Sequence, residues 1–193
     1  MLKERRILLT LAASLIWGAG VARAKEDHRP DTTLKSVVPV PMTTVEVNRL
    51  TKLTNDNHDT LWVLEKVHRP YGEVVVRFKT LDVEGDDEAG VLFRYTDSKN
   101  YYAVVANVKD DMCTFYRVED GSWKKEGYQE TIISPMTWHE LRVVFTQESV
   151  TALLDGELTL GVKVSNIKNP GRVGLWAKVG SKISFEKFQI SRP

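Results

Sequence analysis

Between Val83 and Tyr95 the chain reads VEGDDEAGVLFRY, with the carboxylates Glu84, Asp86, Asp87 and Glu88 packed together. Glu84, Asp86 and Glu88 stand two apart, and residues two apart on a strand share a face. Such a row could supply the acid and the nucleophile that cleave a glycosidic bond. The same oxygens could offer hard ligands to Ca²⁺. The residues between them argue against a catalytic ladder. Gly85 weakens a strand and belongs in a turn. Asp87 would bury a charge on the back face without a partner. The segment therefore reads as an acidic turn leading into a strand at Gly90, and no catalytic residue is assigned. Its spacing matches no specific calcium loop, so no metal or other cofactor is assigned, with Ca²⁺ kept as an option.

Other chemistry is sparse. His28, His58, His68 and His139 have no metal-ligand spacing. The chain has no phosphate loop, dinucleotide fingerprint or nucleophile elbow. Cys113 is the single cysteine, so an intrachain disulfide is impossible, and it reads as a small buried apolar residue. The aromatics Tyr101, Tyr116, Trp123, Tyr128, Trp138 and Trp176 are many for a small β domain. Exposed rings on a sheet suit the CH-rich faces of sugars, and buried ones are packing.

The 193 residues carry 42% hydrophobic and 27% charged side chains with a formal charge of +1. That suits one globular domain and gives no field favouring nucleic acid or an anionic membrane. Lys3, Arg5 and Arg6 precede an apolar run from Ile7 to Gly20, and Ala22-Arg23-Ala24 forms a small-x-small cleavage site. Residues 1–24 thus read as a secretory signal peptide, and Arg5-Arg6 loosely fits the twin-arginine pattern. The expected location is the periplasm or the medium, with no membrane span after cleavage. Removing residues 1–24 takes four basic and one acidic side chain from the 27 and 26, leaving a formal charge of −2. Residues 25–44 form a proline-containing lead-in, and 45–193 form the domain.

The elements that must position any site are β-strands. Short apolar, β-branched runs recur with turns between them. The candidates are Leu61–Val67, Glu73–Leu81, Gly90–Thr96, Tyr101–Val108, Cys113–Val118, Trp138–Thr146, Val150–Leu154, Leu158–Val162, Gly171–Lys178 and Ile183–Ile190. Asp120-Gly121 and Asp155-Gly156 are strong hairpin signals. Gly180-Ser181 marks another tight reversal, and Asp97 to Asn100 reads as a longer loop. No stretch has a sustained helical period. The pattern predicts an all-β, antiparallel two-sheet jelly-roll sandwich.

Alternation predicts finer detail. With Asp97 to Asn100 as the loop, Tyr95 pairs with Tyr102, Phe93 with Val104 and Val91 with Ala106, all on one apolar face. Arg94, Thr96, Tyr101 and Ala103 then share the opposite face. In WHELRVVF, Leu141, Val143 and Phe145 point inward, and Glu140 and Arg142 point the other way. An arginine in mid-strand is either paired structurally or lines a groove.

The segments GVLFRYTDSKNYYAVVANV, TFYRVEDGSW, TWHELRVVF, LLDGELTL, GRVGLWAK and SFEKFQI come in an order that resembles the concanavalin A-like lectin/glucanase superfamily. More closely the chain resembles bacterial laminin-G-like and family-16-hydrolase-like domains, including the 3-keto-disaccharide hydrolase domain. The likeness spans roughly residues 60–190. It implies one concave and one convex sheet, with sugars bound across the concave face or at a loop rim. Family-16 glucanases place apolar residues between their catalytic carboxylates, whereas this chain has Gly85 and Asp87. Relatives carry aspartates where this chain has Gly180 and Phe185-Glu186-Lys187, so their roles do not transfer. The expectation is a carbohydrate-binding, lectin-like module for a saccharide or cell-wall glycan. Arg94, Tyr101, Glu140, Arg142 and Trp176 would line the concave face, guanidiniums donating to hydroxyls and rings stacking. The alternatives are a saccharide hydrolase, with Glu140 as the only strand carboxylate to nominate, and a structural or protein-binding envelope domain.

Overall fold

Asp120 and Gly121 both have positive φ, 50° and 80°, as do Asp155 and Gly156, 52° and 86°. Two consecutive left-handed residues make the type I′ turn whose twist matches a two-stranded ribbon. The two Asp-Gly pairs thus fix two of the hairpins from local chemistry alone. The computed structural model describes residues 41–164 and 169–191. The proposed signal peptide and nearly all of the lead-in lie outside the described residues.

The strands are β1 (Met42–Thr44), β2 (Thr51–Thr54), β3 (Thr60–Arg69), β4 (Gly72–Thr80), β5 (Glu88–Asp97), β6 (Asn100–Asn107) and β7 (Met112–Glu119). They continue as β8 (Ser122–Glu130), β9 (His139–Phe145), β10 (Ser149–Leu154), β11 (Glu157–Lys163), β12 (Gly171–Ala177) and β13 (Ile183–Ser191). One six-stranded sheet has the order β1-β13-β4-β9-β10-β11, and one seven-stranded sheet has β2-β3-β12-β5-β6-β7-β8. Every pairing among them is antiparallel. All ten strand candidates are present. The structure adds β1 and β2, which are short, and β8, whose polar sequence SWKKEGYQE hides it from an apolar-pattern reading.

The core lies between the sheets. Val91, Phe93 and Phe115 face Leu141, Val143 and Phe145. Phe93 stacks on Phe145 at 4.7 Å and on Phe115 at 6.1 Å between ring centroids. Cys113 belongs to this core, where burial pushes its thiol up to about 12 and makes it an inert apolar filler.

The β5–β6 hairpin departs from the expected register. Phe93 pairs with Tyr102 and Val91 with Val104, two residues from the predicted partners, and a bulge lies between Phe93 and Asp97. Arg94 sits in that bulge with φ of 51°. The bulge reverses the side-chain alternation beyond Phe93. Tyr95 therefore leaves the core and joins Tyr101 on the outer face. It also shortens the connection: Asp97 pairs with Asn100, and its side chain accepts from the Lys99 backbone N–H at 2.8 Å.

The acidic segment is a turn, as expected, and β5 begins at Glu88. It is pinned to the β12–β13 connection. Asp87 accepts from the Lys182 backbone N–H at 2.8 Å, and the Glu88 N–H donates to the Ser181 hydroxyl at 3.0 Å.

Candidate functional site

The outer face of the seven-stranded sheet is unusually apolar. Leu61, Val63, Leu92, Tyr95, Tyr101, Ala103, Val105, Val118 and Trp176 are all buried there, apart from the main core. Among the described residues no third layer covers that face; its own rings do. Trp123 on β8 meets Tyr116 at 5.1 Å, Trp176 at 5.5 Å and Tyr101 at 6.0 Å, each edge to face.

The Trp123–Trp176 contact decides the shape. Four inter-strand steps separate β12 from β8. A flat sheet would hold those strands about 19 Å apart, at roughly 4.8 Å per step. Rings 5.5 Å apart require the sheet to curl into a trough, with Trp123 reaching across it. Trp123 and Tyr116 remain partly exposed, while Tyr101 and Trp176 are only 1% and 3% exposed.

The β2–β3 loop braces one side. Asn55 Nδ2 donates to the Tyr101 hydroxyl and to Asp59 Oδ2, each at 3.0 Å. Asp59 Oδ1 accepts from the Val179 backbone N–H at 3.0 Å. Burial chiefly, together with the Asp59 charge, holds the Tyr101 phenol far above its usual range, although the Asn55 bond works the other way. Tyr101 is thus a neutral structural member of the trough wall.

A charged cluster lies at one end. Lys178 Nζ donates to Asp86 Oδ2 at 2.6 Å and to Glu88 Oε1 at 2.9 Å. Asn107 Nδ2 bridges Glu88 Oε1 at 3.2 Å and Asp110 Oδ2 at 3.1 Å. Both of these bonds to the Glu88 carboxylate fall on Oε1. Burial works against the charge on Lys178, but Asp86 and Glu88 outweigh it and hold the amine above its usual range. The two carboxylates are pushed apart. Burial raises Glu88 despite Lys178, whereas the Lys178 hydrogen bond lowers the more exposed Asp86. At the other end Arg172 donates to Glu65, stacks 4.8 Å over Tyr95 and donates to the Thr96 carbonyl at 2.7 Å.

This pair gives opposite pH slopes. Glu88 binds its proton more tightly when folded, so its contribution to stability falls as pH rises above its ordinary value. Asp86 binds its proton less tightly, so its contribution is lost as pH falls below 3.8. Lys178→Met is expected to raise both carboxyl midpoints, read by carbon-detected NMR titration. Unchanged midpoints would show that Lys178 does not govern them.

The five expected ligand-contact residues do not share a face. Tyr101 and Trp176 lie in the trough. Arg142 and Glu140 lie on β9, in the other sheet, and point away from the core that Leu141 and Val143 enter. There Arg142 pairs with Glu73 and with Glu140 at 3.5 Å, and Lys187 approaches Glu140 at 3.5 Å. Arg94 is 3% exposed. It donates to the backbone carbonyls of Pro70, Thr146 (2.9 Å) and Asn169 (3.4 Å), tying both sheets together at one end. The mid-strand arginines are thus paired structurally. His139 is buried, hydrogen-bonded with Asp155 at 2.7 Å and with the Ser134 carbonyl at 2.9 Å.

Glu88, Lys178 and Asn107 were not singled out as site residues. Extending the parity of Gly90 back by two places Glu88 on the trough side, but its partner lies 90 residues away and no local pattern links them. Among the described residues no three His, Cys, Asp or Glu side chains converge to hold a metal. The calcium option for the acidic turn finds the Lys178 ammonium already between Asp86 and Glu88.

No family model and no curated protein matches the chain. Solved structures do. The carbohydrate-binding module CBM66 of Bacillus subtilis superposes with a TM-score of 0.63 at 19% identity, over 78% of this chain and 95% of that one. Sheep galectin-11, in complex with glycerol, matches with a TM-score of 0.50 at 14% identity, over 80% and 99%. A candidate glycosyl hydrolase from Parabacteroides distasonis matches with a TM-score of 0.51 at 13% identity, over 72% and 78%. The chain has the concanavalin A-like jelly-roll fold. Within that sandwich the curled sheet is the seven-stranded one, and its trough is the candidate site. Among the described residues no helix is long and apolar enough to cross a membrane.

Proposed function

We propose that the trough binds carbohydrate and that this protein is a non-catalytic binding module acting outside the cytoplasm. The observation that carries this reading is Trp123. It is a partly exposed ring held edge-on by Tyr116 and Trp176 across a curled sheet whose one end carries the Glu88–Lys178–Asn107 cluster. A flat apolar ring accepts the CH face of a sugar, and the cluster offers donors and acceptors to its hydroxyls. The likeness of fold to a carbohydrate-binding module and a galectin supports the reading. The leader pattern in residues 1–24 supports export.

The hydrolase reading draws on one observation, the opposite shifts of Glu88 and Asp86. Both carboxylates, however, grip the same ammonium, and a glycosidase needs its pair facing across a cleft. The binding reading therefore fits the arrangement better.

The test is calorimetric titration of residues 25–193 with cellobiose, laminaribiose, maltose, lactose and their longer oligomers. At least one is expected to bind, without product on prolonged incubation. Trp123→Ala is expected to weaken that binding at least tenfold, equivalent to about 1.4 kcal/mol, with little loss of fold. Binding undiminished in Trp123→Ala would move the site elsewhere. A panel with no binding would remove the carbohydrate reading, and a hydrolysed product would replace it with the enzymatic one.

A further inference from the structure

The Trp176 indole N–H is buried and makes no hydrogen bond among the described residues. Its polar neighbour is the Tyr101 hydroxyl, whose proton it makes easier to lose and which already accepts from Asn55 Nδ2 at 3.0 Å. A buried N–H without an acceptor costs a protein stability and is uncommon. This one lies in the trough, on β12 between β3 and β5. Directly across from it on β5 stands Gly90, which presents no side chain to bond with. The ring leaning on Trp176 is Trp123, from β8 at the edge of the sheet. Next along the same two strands are Lys178 and Glu88, joined through the Lys178 N–H and the Glu88 carbonyl at 3.2 Å.

We infer that the Trp176 N–H is a ligand donor held in reserve beneath Trp123. A saccharide entering the trough displaces the Trp123 ring from Trp176 and accepts from the uncovered N–H through a hydroxyl or ring oxygen. A second hydroxyl donates to the Glu88 carboxylate, whose bonds to Lys178 and Asn107 both fall on Oε1. The site therefore selects an uncharged, polyhydroxylated sugar that presents an acceptor and a donor on one edge. This inference deepens the carbohydrate reading above and rests on it.

The experiment follows the indole resonances of protein labelled with nitrogen-15 at tryptophan while cellobiose, laminaribiose, maltose and lactose are added. In the free protein the Trp176 N–H is expected to exchange slowly with solvent. On binding it shifts downfield together with the Trp123 resonance. Trp176→Phe keeps an aromatic ring and removes the donor, and is expected to bind the same sugar about three- to tenfold more weakly. A sugar that binds and moves Trp123, while leaving the Trp176 resonance and the Trp176→Phe affinity unchanged, would overturn the inference and leave the binding reading standing. A panel that moves neither resonance would overturn both. The titration uses the native protein, so it decides the matter even if Trp176→Phe fails to fold.

Discussion

Gly174→Ala is expected to cost the domain at least about 3 kcal/mol, a large share of the 5–15 kcal/mol that typically separates folded from unfolded domains. Gly174 lies on β12, paired with Val63 of β3. A Cβ there would stand 1.9 Å from the Trp62 carbonyl oxygen, 2.9 Å from its carbon and 3.1 Å from Val63 Cα. All three are backbone atoms of the neighbouring strand, so no rotamer change relieves the overlap. β12 and β3 must separate, and both the core and the trough share that ladder. The control is Gly156→Asn. Gly156 has φ of 86° but nothing within 4 Å of its missing Cβ. Asparagine tolerates the left-handed region, so the cost there should be within about 1 kcal/mol. Urea denaturation of both variants decides the matter; a small loss for Gly174→Ala would mean the two strands part more easily than their packing implies.

Arg94→Met is expected to lose about 3 kcal/mol or more, because it removes the charge-assisted hydrogen bonds by which one buried guanidinium holds three separate segments. The guanidinium joins the β3–β4 connection at Pro70, the end of β9 at Thr146 and the approach to β12 at Asn169. Its backbone is equally committed. A Cβ on Gly171 would stand 2.4 Å from the Arg94 carbonyl carbon, so only glycine lets the bulge pack there. Arg94→Lys should recover only part of the loss, since a single ammonium cannot serve three diverging acceptors as a planar fork does. A saccharide-contact role would instead weaken binding while leaving the denaturation midpoint alone. The two measurements, midpoint and affinity, therefore separate a clamp from a ligand contact.

The sequence by itself determined what is local. Asp120-Gly121 and Asp155-Gly156 fix their own turns because Asp and Gly can hold positive φ in a hairpin. Alternation located ten strands because side chains on a strand point to opposite faces. Gly85 and Asp87 made the acidic segment a turn rather than a ladder. Tertiary structure decided the rest, because strand order is set by pairings between residues far apart in sequence. β9 and β12 look alike as apolar runs, yet they join different sheets, and this places Arg142 and Glu140 on the opposite side of the molecule from Tyr101 and Trp176. The bulge at Arg94 follows from close packing against Gly171, 77 residues later, and it alone turns Tyr95 outward. The polar strand β8 forms because β7 offers it a ladder, and sheet curl then carries Trp123 to Trp176. No local pattern encodes that curl, and it is what makes an outer face into a site.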